Sequence, residues 1–338
     1  MHQFRIQLGE NLGYFDALFQ SFSPELPYSK KRPLLVICPG GAYRFVSDRE
    51  AEPVALAFSA HGYHTIVLRY PVAPVRYPAA LCALAKTVAW AREHAVQYAI
   101  DPEAVSVLGF SAGGHLAACL GVFWNAAFLQ ELTGLSPEQI RPDKLLLAYP
   151  VITAGQYAHR ESFQNLLGAD ADIAKQDALS IEKLVHEKMP SCFLWATETD
   201  ATVPVENTLL LSCALREKHI PQELHIFSTG AHGLSLGTRL TEGANGRSIC
   251  PACRQSVIVE RDLFSLAAAT AHIKCPCGRS ELRVEFVDDH VDLEVPCLFC
   301  DREHRVSCST HAFLHQKALA FSCAASGLDC CYVGEEGP

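Results

Sequence analysis

No stretch of this chain approaches the run of about twenty apolar residues that a membrane-spanning helix needs. Its opening, "MHQFRIQLGENLGYFDALFQ", carries no uninterrupted apolar segment of signal-peptide length. A soluble, cytoplasmic protein is the expectation. Positive charge is also in short supply: 28 Lys and Arg stand against 37 Asp and Glu, a formal charge of −9. That balance works against a polyanionic partner, so neither nucleic acid nor a membrane surface is expected to bind. Internal repeats and low-complexity tracts are missing too. Cysteine is scarce where the chain is longest. Cys38, Cys82, Cys119, Cys192 and Cys213 are scattered singly before residue 240, and ten more crowd into the remaining residues. The scattered five read as small core residues. The crowd marks a domain boundary, and without an export signal its pairs point to metal rather than to disulfides.

What is present is apolar material enough for one large domain and a small one, 49% of 338 residues. From residue 34, short runs ("LLVIC", "TIVLR", "VSVLG", "LLLAY", "CFLWA", "ELHIF") alternate with longer amphipathic segments. This is the rhythm of a mostly parallel sheet with helices on both faces. Leu81, Leu84, Val88 and Ala91 recur at helical spacing between "RYP" and "DP" and predict a crossover helix. The small, polar stretch 240–248, "LTEGANGRS", reads as a linker between a domain over 1–239 and a cysteine-rich domain over 249–338.

"VSVLGFSAGGHLAACLGVF" sets Gly109-Phe110-Ser111-Ala112-Gly113 between a strand and a helical pattern. A GxSxG alone is weak, because glycine and serine are common and the pentapeptide arises by chance as an inert turn. Between strand and helix, however, two glycines permit the tight turn that lifts a serine hydroxyl above the sheet edge. The helix then aims its first amides where negative charge would form. A serine needs a base, and the base needs an orienting carboxylate. Asp200 follows one apolar strand in "CFLWATETDATVPVEN", and His232 follows the next in "ELHIFSTGAHGLSLG". Glu198 competes for the acid's place but sits closer to its strand. His115, one helical turn past Ser111, is expected to face away from the hydroxyl. "VICPGGAYRF" ends a strand in a glycine loop whose amides, with that of Ala112, would form an oxyanion hole. Tyr43, Arg44 and Phe45 are placed either to shape the mouth of a pocket or, as loop residues, to pack.

Residues 34 to about 237 resemble the α/β-hydrolases of the acetyl esterase and acetylxylan-esterase-like group, related to the hormone-sensitive-lipase type. The resemblance rests on "PGGAYRFVSDREAEPVA", "YHTIVLRYPVAP", "RYPAAL", "DPEAVSVLGFSAGGHLAA", "TDATVPVEN" and "ELHIFSTGAHG". It implies the α/β-hydrolase fold, Ser111 as nucleophile, Asp200 as acid, His232 as base, and Gly40, Gly41 and Ala112 as oxyanion donors. Two departures stand out. Many relatives have histidine and three glycines where this chain has Pro39-Gly40-Gly41-Ala42, and a methyl at position 42 would restrict the loop. Relatives also run from the catalytic histidine into a final helix, whereas here "GLSLGTRL" offers one turn at most, and "RDLFSLAAATAHI" is the substitute to look for.

The tail carries Cys250 and Cys253, Cys275 and Cys277, then Cys297 and Cys300. Two close pairs about twenty residues apart are how a zinc ribbon brings four thiolates to one ion, so the first four are assigned to one zinc. A second site would use Cys297, Cys300 and two of His304, Cys308, His311, Cys323, Cys330 or Cys331. The expectation is a small zinc-ribbon-like domain with structural zinc, since four thiolates leave no position for water. Residues 246–338 hold nine basic against thirteen acidic residues, the wrong sign for phosphate.

Together these features predict a serine carboxylesterase acting on small ester substrates, acetyl groups on sugars among them, with no cofactor in catalysis. A peptidase of the same fold is one alternative. The other is a zinc-binding interaction protein whose hydrolase domain is incomplete.

Overall fold

All six apolar runs from residue 34 onward form strands in the computed structural model. It describes residues 2–21, 31–237, 245–253, 256–260, 271–287, 290–297, 300, 302–315, 319–323, 325–327 and 329–334. The chain divides into two units, Met1–Leu236 and Gly237–Pro338.

The first unit is built on eight strands: β1 (His2–Gln7), β2 (Tyr14–Phe19), β3 (Arg32–Cys38), β4 (His64–Arg69), β5 (Ile100–Phe110), β6 (Lys144–Ala148), β7 (Ser191–Thr197) and β8 (Gln222–Phe227). Their order is β1-β2-β4-β3-β5-β6-β7-β8. β1, β2 and β4 pair antiparallel, and β4 onward is parallel. The N-terminal hairpin lies outside the pattern of apolar runs, although β2 alternates as a half-buried strand should, with Phe15, Ala17 and Phe19 inside.

Strand periodicity decides the two faces of this sheet. Leu34, Val36 and Cys38 of β3 belong to one apolar cluster with Leu84 and Val88 of α2 (Ala79–Glu93), Leu116 and Leu120 of α3 (Ala112–Phe123), and Leu211 and Leu215 of α4 (Glu206–Glu217). Leu35 and Ile37 point the other way, toward Val54 and Ala55 of α1 (Glu52–Ala60). Each such aliphatic side chain withdrawn from water stabilises the fold by about 1.5–3 kcal/mol. The four positions that predicted the crossover helix, Leu81, Leu84, Val88 and Ala91, are all buried in α2.

On the α1 side of β6–β8 the described residues place no packed helix, and Leu146, Phe193 and Trp195 stay half-buried there. Residues 233–237 form turns rather than a closing helix. Among the described residues, no single helix is long and apolar enough to cross a membrane.

The second unit holds two four-stranded antiparallel sheets. One is ordered β10 (Ser256–Glu260), β9 (Asn245–Ile249), β16 (Asp329–Gly334), β15 (Leu319–Ser322). The other is ordered β11 (Ala271–Lys274), β12 (Glu281–Val287), β13 (His290–Pro296), β14 (Glu303–Ser309). The expected linker is corrected in part: residues 245–248 belong to β9 and pair with β10 and β16, because ladder hydrogen bonds need backbone, not apolar side chains. Residues 240–244 lie outside the described set. The end of "RDLFSLAAATAHI" is corrected likewise, since Ala271–Lys274 pairs with β12, while 261–270 lie outside the described residues.

Candidate active site

Ser111 sits between β5 and α3 with φ 53° and ψ −119°, a backbone conformation strained for a residue bearing a side chain. Its amide donates to the Ala148 carbonyl and its carbonyl accepts from Val151, each at 3.0 Å, which fixes the turn. The flanking glycines are required by space. A Cβ at Gly109 would lie 2.3 Å from the Gly113 carbonyl oxygen, and one at Gly113 would lie 2.1 Å from that of Cys38.

The structure brings Ser111, His232 and Asp200 together. His232 Nε2 lies 2.8 Å from Ser111 Oγ, and Nδ1 lies 2.6 Å from Asp200 Oδ2. A carboxylate only accepts, so Nδ1 carries the proton and leaves Nε2 free to accept from the serine hydroxyl. The Asp200 side chain is 1% exposed. Its other oxygen, Oδ1, accepts from the amides of Thr202 and Val203, both at 2.9 Å. Those two bonds support the buried charge and set the carboxylate's plane. Glu198, the rival acid, is exposed. The loop bearing His232 is tied to the loop bearing Asp200 at Gly230, whose carbonyl accepts from the hydroxyls of Thr197 and Thr199 at 2.9 and 3.1 Å.

His115 is buried and faces elsewhere. Its Nε2 donates to the Leu179 carbonyl at 3.0 Å and its Nδ1 accepts from the Tyr43 hydroxyl at 2.9 Å. Burial lowers its pKa to about 4, so the ring is neutral. This corrects the expectation for Tyr43. At 2% exposure, with its hydroxyl spent on His115, it is a core residue and not part of a pocket mouth. Arg44 and Phe45 do lie at the surface: the guanidinium pairs with Glu161 at 3.1 Å and sits over the Phe45 ring.

The glycine loop after β3 also differs from expectation at one position. Gly40 donates its amide to Glu50 Oε2 at 2.7 Å, so this N–H is already committed and does not point at a reacting oxygen. Among the described residues the amides of Gly41, Ala42 and Ala112 have no acceptor. Gly41, Ala42 and Tyr43 have φ of 125°, 53° and 56°. The left-handed turn thus accommodates the Ala42 methyl, and the Ala42 carbonyl is held by Asn165 Nδ2 at 2.9 Å.

Glu50 and Tyr149 carry no sequence signal that marks them for the site. Glu50 is 2% exposed, and its Oε1 accepts from the Tyr149 hydroxyl at 2.8 Å. That hydroxyl in turn accepts from the Ser235 amide at 2.7 Å, and the Tyr149 ring meets the His232 ring edge-on, centroids 5.1 Å apart. One buried carboxylate therefore joins the glycine loop to the histidine loop. Nothing local in "SDREAEP" separates Glu50 from a surface acid.

A hydroxyl, an imidazole and a buried carboxylate joined in this order can carry out nucleophilic acyl chemistry. The family model BD-FAE matches residues 23–215, more than half of the chain. The chain belongs to the BD-FAE family. The matched residues include Ser111 and Asp200 and end before His232. Among curated proteins the chain is 36% identical over 214 residues to endo-1,4-beta-xylanase B of Butyrivibrio fibrisolvens, covering 61% of this chain and 33% of that protein. It is 26% identical to the acetylxylan esterase of Xylanibacter ruminicola, covering 64% of this chain and 43% of that protein. The chain thus spans a third to less than half of the length of these two. Among solved structures it resembles the acetyl ester-xyloside bifunctional hydrolase of Caldicellulosiruptor lactoaceticus, with a TM-score of 0.58 and 36% identity over 66% of this chain and 80% of that one. The first unit has the α/β-hydrolase fold.

In the tail, Cys250, Cys253, Cys275 and Cys277 have their four sulfurs within 4.8 Å of one another. Cys250 to Cys277 and Cys253 to Cys275 are each 3.5 Å apart, far longer than a disulfide of about 2.05 Å. The edge of a tetrahedron with zinc–sulfur bonds of about 2.3 Å is close to this spacing. Cys297 and Cys300 form a second cluster with His304 and Cys323.

Proposed function

We propose that the first unit is a serine carboxylesterase that cleaves small acyl esters, with acetyl groups on sugars as the substrate class. The observation that carries this reading is the unbroken chain from Ser111 Oγ through His232 to buried Asp200, at 2.8 and 2.6 Å. The names of relatives that act on acetyl esters and xylan support the substrate class.

In the proposed reaction Ser111 Oγ attacks the ester carbonyl carbon while His232 Nε2 takes the hydroxyl proton. The carbonyl π electrons move to oxygen, and the amides of Gly41 and Ala112 hold the resulting anion. The alkoxy group leaves with the proton from His232, and the acyl group stays on Ser111. Water then attacks the acyl-enzyme, His232 takes its proton and returns one to Ser111, and the carboxylic acid departs. Asp200 keeps the imidazole in the required tautomer and stabilises its cationic form. No cofactor enters these steps.

The test is hydrolysis of p-nitrophenyl acetate by the full chain and by Ser111→Ala. Turnover is expected from the first and a loss of several orders of magnitude in the second, with unchanged folding. Equal turnover in both would sink the assignment. Preference for chromogenic peptides over esters would favour the peptidase reading.

For the tail, the proposed role of Cys250, Cys253, Cys275 and Cys277 is to hold a structural zinc, with thiolates at all four positions and none left for water. Zinc binding supplies roughly 10–16 kcal/mol of apparent folding free energy in small finger peptides, enough to matter where a core is small.

A further inference from the structure

Both cysteine clusters lie in turns, and the turns belong to different sheets. Cys250 and Cys253 follow β9, in the sheet β10-β9-β16-β15, and Cys275 and Cys277 join β11 to β12 in the sheet β11-β12-β13-β14. In the second cluster Cys297 and Cys300 join β13 to β14, and His304 is the second residue of β14. Cys323 follows β15, in the opposite sheet. Each cluster therefore draws ligands from both sheets.

The second cluster has its own metal-site geometry. Its three sulfurs and one imidazole nitrogen all lie within 4.8 Å of one another, with Cys300 Sγ 3.3 Å from His304 Nε2. Three thiolates and an imidazole at these separations match tetrahedral zinc, whose bonds to sulfur and nitrogen are about 2.3 and 2.0 Å. The rival ligands are placed elsewhere. Cys308 Sγ lies against the Val291 carbonyl, and neither Cys308 nor Cys331 belongs to the group whose ligand atoms lie within 4.8 Å of one another. His311 and Cys330 have side chains outside the described set.

In the apolar cluster of the tail Ile273, Leu282, Val284, Val291, Leu293 and Val295 come from one sheet, and among the described residues the other sheet and its flank contribute Cys323, Cys331 and the half-buried Phe321. Ligands drawn from both sheets put each ion where it ties one sheet to the other. We propose that the tail is a two-zinc module in which each ion staples one sheet to the other, the second ion being held by Cys297, Cys300, His304 and Cys323. This stands independently of the ester-hydrolase reading.

The test is metal content of the full-length chain by elemental analysis and native mass spectrometry. Two zinc ions per chain are expected, falling to one in His304→Ala and remaining two in Cys308→Ser. One zinc in the unaltered chain, two in His304→Ala, or a loss in Cys308→Ser would each overturn the ligand set. If His304→Ala binds none because the tail fails to fold, His304→Cys decides: two metal ions with a cobalt spectrum shifted toward all-thiolate ligation support the site, and fewer than two overturn it. Chelation of the unaltered chain should open the amides of β12 and β13 to hydrogen exchange together with those of β9. Unchanged protection in either sheet would overturn the stapling role.

Discussion

The carboxylate of Glu50 accepts the Gly40 amide at 2.7 Å with one oxygen and the Tyr149 hydroxyl at 2.8 Å with the other. Gly40 opens the loop that supplies the oxyanion amides, and Tyr149 braces the ring and the loop of His232. Glu50 therefore acts through its neighbours, as a positioning residue. In Glu50→Gln one of these two bonds must be lost or reversed, because an amide presents one acceptor where the carboxylate presented two. Turnover is expected to fall by about 10²-fold, the scale of a small misplacement of catalytic groups. Steady-state kinetics should show the loss in kcat with KM little changed. A loss confined to KM, or none, would mean that the loop holds itself.

Asp200→Asn tests the orienting carboxylate. Two backbone amides already grip Oδ1, so the side chain should keep its place and the protein its thermal midpoint. The amide nitrogen would face Nδ1 and favour the wrong imidazole tautomer. A kcat loss of roughly 10⁴-fold is expected, as when such a triad loses its carboxylate charge. Near-normal turnover would hand the acid's role to another residue.

Gly113→Ala should fail as a fold rather than as a catalyst. The added methyl would meet the carbonyl oxygens of Cys38 and Pro39 at 2.1 and 2.4 Å, both backbone atoms that cannot swing aside. Destabilisation of more than about 3 kcal/mol is expected, seen as a lowered urea midpoint or insoluble protein. A well-folded variant would show that β3 and α3 can separate at this crossing.

Two buried histidines set a pH dependence of stability. Burial lowers the pKa of both His64 and His115 from 6.5 to about 4. Between these values the unfolded chain binds protons that the native chain does not, so acidification favours unfolding. Stability contributed by the neutral rings is complete above about pH 6.5 and is lost progressively as pH falls toward 4. Urea midpoints should drop from about pH 7 to about pH 5, with a smaller drop in His115→Gln. An unchanged slope in that variant would remove His115 from the account.

Local chemistry makes part of this architecture readable from the chain. β3 through β8 announce themselves as short β-branched and aliphatic runs, and α2 as four apolar residues at helical spacing. Ser111 is legible because its two glycines sit between a strand run and a helical pattern, although the contacts that demand Gly113 come from Cys38 and Pro39, far off in the chain. Asp200 and His232 are legible by their places past successive strand ends. Glu50 is not, because its burial depends on Tyr149, 99 positions away. Tyr43 misleads for the same reason: what draws it inward is His115, 72 positions on. Gly40 cannot be told from Gly41 by type, only by which amide faces Glu50. In the tail, cysteine spacing names one ligand set, but the second needs Cys323, which comes to Cys297, Cys300 and His304 from the other sheet.

The central claim is that Ser111 carries an acyl group during turnover. Intact-mass and peptide analysis of the full chain, quenched with acid during reaction with p-nitrophenyl acetate, reads this directly. One acetyl group is expected, located on the peptide containing Ser111 and absent in Ser111→Ala. Sustained hydrolysis with no label on that peptide, or a label that persists in the variant, would contradict it.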